Sequence, residues 1–135
     1  MGWNDYTRTE SATLPTDDTN LATAYSGGDV TDVATDNGVR VAQTASDNYA
    51  IHQFKDYIGG YASVNLTWNG QTDYAPSSST VALQIYNYNT TSWETVATNS
   101  VASVDTDFDL TATIADTTNY VTGGGYITCR VYQNA

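Results

Sequence analysis

The sequence predicts an all-β chain: a two-sheet antiparallel β-sandwich of jelly-roll type with about eight strands. Three observations predict it. Thr, Asn, Asp, Gly, Ser and Tyr dominate; β-branched and aromatic residues suit pleated, half-buried surfaces, and the small polar ones suit turns. The usual residues of helix surfaces are nearly missing, since the chain holds one lysine, Lys55, and only Glu10 and Glu94 as glutamates. Apolar residues alternate with polar ones in short runs, and no stretch shows the 3.6-residue apolar period of a helix.

The elements follow in order. Residues 1–37 are turn-rich, punctuated by Leu14–Asn20 and Ser26-Gly27-Gly28-Asp29, with one short strand near Leu21–Tyr25. They read as an N-terminal segment docking on a neighbouring subunit, ahead of a sandwich domain at 38–135. Asp36-Asn37-Gly38 is a hairpin-type turn signal. Val39–Thr44 alternates and is expected to be a strand, as is Asn48–Lys55. Tyr61–Trp68 is the clearest strand, with Ala62, Val64, Leu66 and Trp68 on one face. Asn69-Gly70 stops it, and Gln71–Ser79 is a polar loop. Thr80–Tyr88 turns Val81, Leu83 and Ile85 inward; after Asn87–Ser92, Trp93–Thr98 returns. Asp107–Ile114 puts Phe108, Leu110, Ala112 and Ile114 on one face, and Tyr126–Gln133 closes the chain. Most connections exceed two residues, which favours crossing connections over a simple meander.

The 135 residues are about one domain. A chain of this length buries enough surface to fold without metals or disulfides, and Cys129, the one cysteine, cannot form an intrachain bridge. It shares the Ile127/Val131 face and reads as a small core residue. Fifteen acids against four bases give a net charge of -11. That balance cannot release counterions from a phosphate backbone, which argues against nucleic acid as a partner and against anionic membrane surfaces. Met1–Asp5 has neither a basic nor an apolar leader. The expectation is a signal already removed, or a route such as assembly into a virion released by lysis.

Val81-Ala82-Leu83-Gln84-Ile85-Tyr86-Asn87-Tyr88-Asn89-Thr90-Thr91-Ser92-Trp93-Glu94-Thr95-Val96 resembles the hairpin of galactose-binding-like (discoidin-type) jelly rolls. There, an apolar strand ends in a tyrosine-asparagine turn and restarts at a tryptophan. Val64–Gly70 and Tyr126–Tyr132 fit the same layout, so the resemblance covers roughly residues 39–133. It implies a binding module, since members bind glycans, other proteins or each other, and similar small jelly rolls decorate phage particles. It implies no catalytic residue here.

The leading candidate site is an outward aromatic face. Tyr86 and Tyr88 alternate with Val81/Leu83/Ile85, while Tyr126, Arg130 and Tyr132 alternate with Ile127/Cys129/Val131. If these strands share a sheet, the rings form one exposed surface for stacking on sugars or anchoring an interface. Trp93 joins this ligand or interface set, and Trp3 is a further candidate for stacking. Asp17, Asp18, Asp29 and Asp32 could supply oxygens to a calcium ion, and the resemblance implies a structural calcium in an early loop; no other cofactor is expected. Asp105-Thr106-Asp107-Phe108-Asp109 with Asp116 has the spacing of an EF-hand, but Leu110 stands where that loop requires glycine. These aspartates read instead as a charged strand edge. His52, the only histidine, reads as an ordinary strand residue, and Gly123-Gly124-Gly125 precedes a strand rather than the helix of a phosphate loop.

No catalytic residue is expected. The sequence therefore points to a non-enzymatic structural or decoration protein of a virion or other extracellular assembly, whose partners are protein subunits of that assembly. The alternative is a carbohydrate-binding module stacking sugars on exposed aromatics.

Overall fold

A computed structural model describes residues 4–34 and 38–135; Trp3 and Asp36-Asn37 lie outside the described residues. The described residues form eight strands and one short helix: β1 (Asn4–Ser11), β2 (Thr23–Ala24), α1 (Gly27–Val33), β3 (Tyr49–Tyr57), β4 (Val64–Gly70), β5 (Val81–Asn87), β6 (Ser92–Asn99), β7 (Phe108–Ile114) and β8 (Tyr126–Asn134). They form two antiparallel sheets. One has six strands in the order β2-β1-β3-β8-β5-β6, and the other pairs β4 with β7. The all-β, two-layer sandwich expected from the sequence is present, with strands divided six and two.

The core lies between the layers. Val81, Leu83 and Ile85 of β5 and Ile127, Cys129 and Val131 of β8 face Leu110 and Ile114 of β7, with Val64, Leu66, Trp68 and Phe108 packed around them. Strands β4 and β7 alternate half-buried or buried with exposed residues along most of their length, as a sheet with one wet face must. Register shifts between Leu83 and Gln84 in the β5–β6 pair, so Val96 is the extra residue of a bulge. The bulge lets Val96 and Ala97 both pack on the core, then returns Thr95 and Trp93 to the outer face. Gly70 is required by packing, because an added Cβ would stand 2.4 Å from the Trp68 ring.

Three local expectations are corrected. Val39–Thr44 forms no strand. Its alternation is real, but side chains rather than a ladder hold it: Arg40 pairs with Asp107, and Gln43 Oε1 accepts from Arg8 Nη1 at 3.0 Å. The segment thus crosses from the start of β7 to β1. Second, residues 4–11 form a full strand pairing β3 from Asn4↔Asp56 to Ser11↔Tyr49. No apolar alternation marks it. Third, Ser26–Asp29 opens a helix instead of a turn. Ser26 Oγ accepts from the Asp29 amide and Asp29 Oδ2 from the Ser26 amide, both at 3.0 Å, a reciprocal cap.

Truncating a core side chain here leaves a cavity between rigid layers. Leu83→Ala should therefore destabilise the fold by about 2–5 kcal/mol, read from the urea midpoint, while Val101→Ala on an exposed loop should change it by less than about 0.5 kcal/mol.

Candidate functional site: the outer face of the six-stranded sheet

The pairing of β3, β8, β5 and β6 brings the predicted aromatic residues to one face. Tyr86 lies opposite Trp93, Gln84 opposite Arg130, Arg130 opposite Gln53, and Tyr132 opposite Ile51. The inside–outside register read from the sequence is thus correct. The exposure is not: Tyr86 is only 6% exposed and Arg130 only 3%, and all seven residues of β5 are buried. Tyr88, Trp93 and Tyr132 are half-buried. Tyr126 stands apart at the end of β8, ring to ring with Tyr57 at 5.5 Å.

The cover is the chain's own N-terminal segment. Between β1 and β2 it crosses the outer face as a strap, and the face supplies donors to its carbonyls. Arg130 Nη1 donates to Pro15 O at 2.7 Å, Trp93 Nε1 to Asp17 O at 3.0 Å, and Gln53 Nε2 to Asp18 O and Thr19 O at 3.1 and 3.0 Å. The Tyr88 hydroxyl donates to Asp18 Oδ2 at 2.7 Å and meets Thr128 Oγ1 at 2.7 Å. The Leu21 amide donates to Thr7 Oγ1 at 3.0 Å. In this single chain the N-terminal segment lies on the chain's own sheet. A strap without secondary structure has carbonyls that need partners, and long polar side chains on the sheet provide them.

One part of the face stays open. A shallow groove of about 300 Å³ runs beside the strap, lined by Pro15, Thr16, Gln84, Ser92, Trp93 and Arg130 among others. Two of its lining residues belong to a stack: the Arg130 guanidinium carbon lies 4.1 Å from the Trp93 ring centre and 5.7 Å from that of Tyr132. Tyr86 meets Trp93 edge-on at 5.2 Å and Tyr88 at 4.9 Å. Burial pulls the Arg130 pKa down to about 10, with the Tyr132 hydroxyl pulling the other way. The guanidinium therefore stays charged at neutral pH.

The inner face carries a second polar cluster that the sequence did not reveal. Tyr25 OH and His52 Nδ1 share a 2.5 Å hydrogen bond, and Tyr6 OH donates to Asp56 Oδ1 at 2.5 Å. Phe54 and His52 stack with planes 7° apart, and Tyr6 meets Phe54 edge-on at 5.0 Å. Burial, reinforced by the Arg8 charge, lowers the His52 pKa to about 4. The hydroxyl bonded to His52 is a tyrosine's, so this is not a serine-histidine-carboxylate arrangement.

The aspartates expected at a calcium site lie in the strap and in α1. Asp17 Oδ1 accepts from Thr19 N and Oγ1, Asp18 holds Tyr88, and Asp29 caps α1, which also contains Asp32. Asp17, Asp18 and Asp29 are thus each engaged by a different partner. Among the described residues, no group of three or more His, Cys, Asp and Glu side chains could hold a metal ion. The edge aspartates behave as turn and edge residues too: Asp107 pairs with Arg40, and Asp109 accepts from Asn69 at 2.8 Å. Cys129 is buried in the core, and burial pushes its thiol pKa well up.

Residues 4–135 match the model of the AF_1625_C family, described as the C-terminal domain of an uncharacterized protein, and the chain belongs to that family. No curated protein and no solved structure matches it significantly.

His52 links this geometry to acid stability. Unfolded, it titrates near 6.5; folded, near 4. Above pH 6.5 neither state takes up the proton, and its full contribution is present. Between pH 6.5 and 4 the unfolded chain is protonated first, so stability falls on acidification, by at most about 3 kcal/mol from this residue. Urea unfolding of His52→Gln should show a smaller loss between pH 6.5 and 4.5 than the parent. Parallel losses would mean that His52 is charged within the fold.

Proposed function

We propose that the domain is a non-enzymatic structural subunit of a virion or other extracellular assembly, acting through contacts with protein subunits of that assembly. One observation carries the reading: three exposed apolar side chains stand on two loops that are tied together. Val101 is 83% exposed, Val104 45% and Tyr74 43%. They sit on the β6–β7 and β4–β5 loops, which the Asp105 amide joins by donating to Thr72 O at 2.8 Å. Large side chains held out on loops that are themselves tied down suit a contact surface better than solvent.

A second reading, a carbohydrate-binding module, is favoured by the groove beside the strap. It combines the Trp93 indole with the Gln84 amide and the Thr16, Thr91 and Ser92 hydroxyls, the mixture of flat ring and hydrogen-bonding groups that sugars require.

Light scattering on purified protein tests the first reading. With a net charge of -11, copies repel each other at low salt. Self-association should therefore strengthen as salt rises from about 10 to about 150 mM and the Debye length falls from about 30 to about 8 Å. The double change Val101→Asp with Val104→Asp should return the protein to monomer. A parent that stays monomeric at every salt and concentration, with no dependence on these valines, would overturn it.

A further inference from the structure

Among the described residues, Arg130 is a buried cation with no carboxylate in ion-pair contact; the ion pair among them is Arg40 with Asp107. Two of its nitrogens are fixed. Nε donates to Gln84 Oε1 at 2.8 Å, and Nη1 donates to Pro15 O at 2.7 Å. Both acceptors are neutral. Nη2 takes no partner among the described residues, yet it is not one of the buried unpartnered atoms, and the guanidinium lines the groove. Protein interiors rarely keep a charge without an opposite charge. The Trp93 and Tyr132 ring centres lie 4.1 and 5.7 Å from the guanidinium carbon, and Arg130 is among the residues that line the groove.

We propose that this groove binds an acidic sugar, a uronic acid residue, with its carboxylate on Arg130. A planar guanidinium recognises carboxylates directionally. The partly exposed Trp93 indole offers an apolar surface for a sugar ring, and Thr16, Thr91 and Ser92 offer hydroxyls for those of the sugar. The volume of about 300 Å³ sits at the lower end of small-molecule sites, the scale of a single sugar unit in a longer chain. The strap completes the site: Pro15 and Thr16 form one wall, so the fold of the N-terminal segment and the ligand pocket are made together. This inference rests on the carbohydrate reading and narrows it to a ligand class.

Titration followed by the Trp93 indole N–H signal in NMR spectra tests it with three probes: D-galacturonate, D-galactose and N-acetylglycine. Galacturonate should bind at least tenfold more tightly than the other two. Arg130→Met should lose at least tenfold of that affinity while keeping the dispersed spectrum of the parent. Arg130→Lys, which keeps the charge but not the fork, should lose severalfold and decides the matter if the methionine variant does not fold. Equal binding of galactose would overturn the acidic class and leave the carbohydrate reading standing. Equal binding of N-acetylglycine would replace the sugar by a peptide carboxylate. Binding unchanged in the Arg130 variants would overturn the role of Arg130, and no binding of either sugar would remove both the inference and the carbohydrate reading.

Discussion

A six-stranded sheet has two faces to cover, and the second sheet is only two strands wide. The structure depends on how this mismatch is resolved. Strands β4 and β7 cover the inner face over β5 and β8, where Leu83, Ile85, Cys129 and Val131 make an apolar core. Elsewhere the cover is irregular chain, which brings backbone polar groups that must be satisfied wherever they are buried. Side chains of the sheet meet that demand: Arg130, Trp93 and Gln53 are donors to the strap on the outer face, and Arg8 ties down the crossing segment through Gln43 on the inner one.

This solution explains the composition. A sheet covered by strands alone could be apolar on its covered face. A sheet covered by loops needs long side chains with donors at their ends, standing among rings that exclude water. Tyrosine, tryptophan, arginine and glutamine fit that description. Buried polar residues such as Thr7, Gln53, Gln84 and Thr128 are then the joints of the fold. Gln53 shows the limit of the arrangement: Nε2 serves two carbonyls, while Oε1 is buried without a protein partner among the described residues.

The same economy produces the groove. Where the strap passes over β8 and β6, one arginine is held by neutral acceptors and aromatic rings and keeps its charge. A surface arginine in so acidic a chain would sit among many carboxylates and be screened by salt within about 10 Å. Burial beside an opening separates the Arg130 charge from that background. The exposed Val101 and Val104 are not among the residues that line the groove.

The sequence by itself determined the fold class, most strand positions and which residues of each strand share a face, because alternation with period two is a local property of the chain. It placed Val81, Leu83 and Ile85 against the core and Tyr86 and Arg130 on the other side, and both hold. It missed β1, whose Asn-Asp-Tyr-Thr-Arg-Thr-Glu-Ser run has no apolar alternation, although its threonines and tyrosine have the right propensity; it missed α1, although Ser26 and Asp29 spell a capping box. It could not see that Tyr86 is covered, that Val39–Thr44 stays out of the sheets, or that Asp17, Asp18 and Asp29 each take a different hydrogen-bond partner. Tertiary structure alone decided those points, because cover, pairing and ligand geometry depend on residues far apart in the chain: Pro15 meets Arg130, Asp18 meets Tyr88 and Arg40 meets Asp107 only after the sheets have formed.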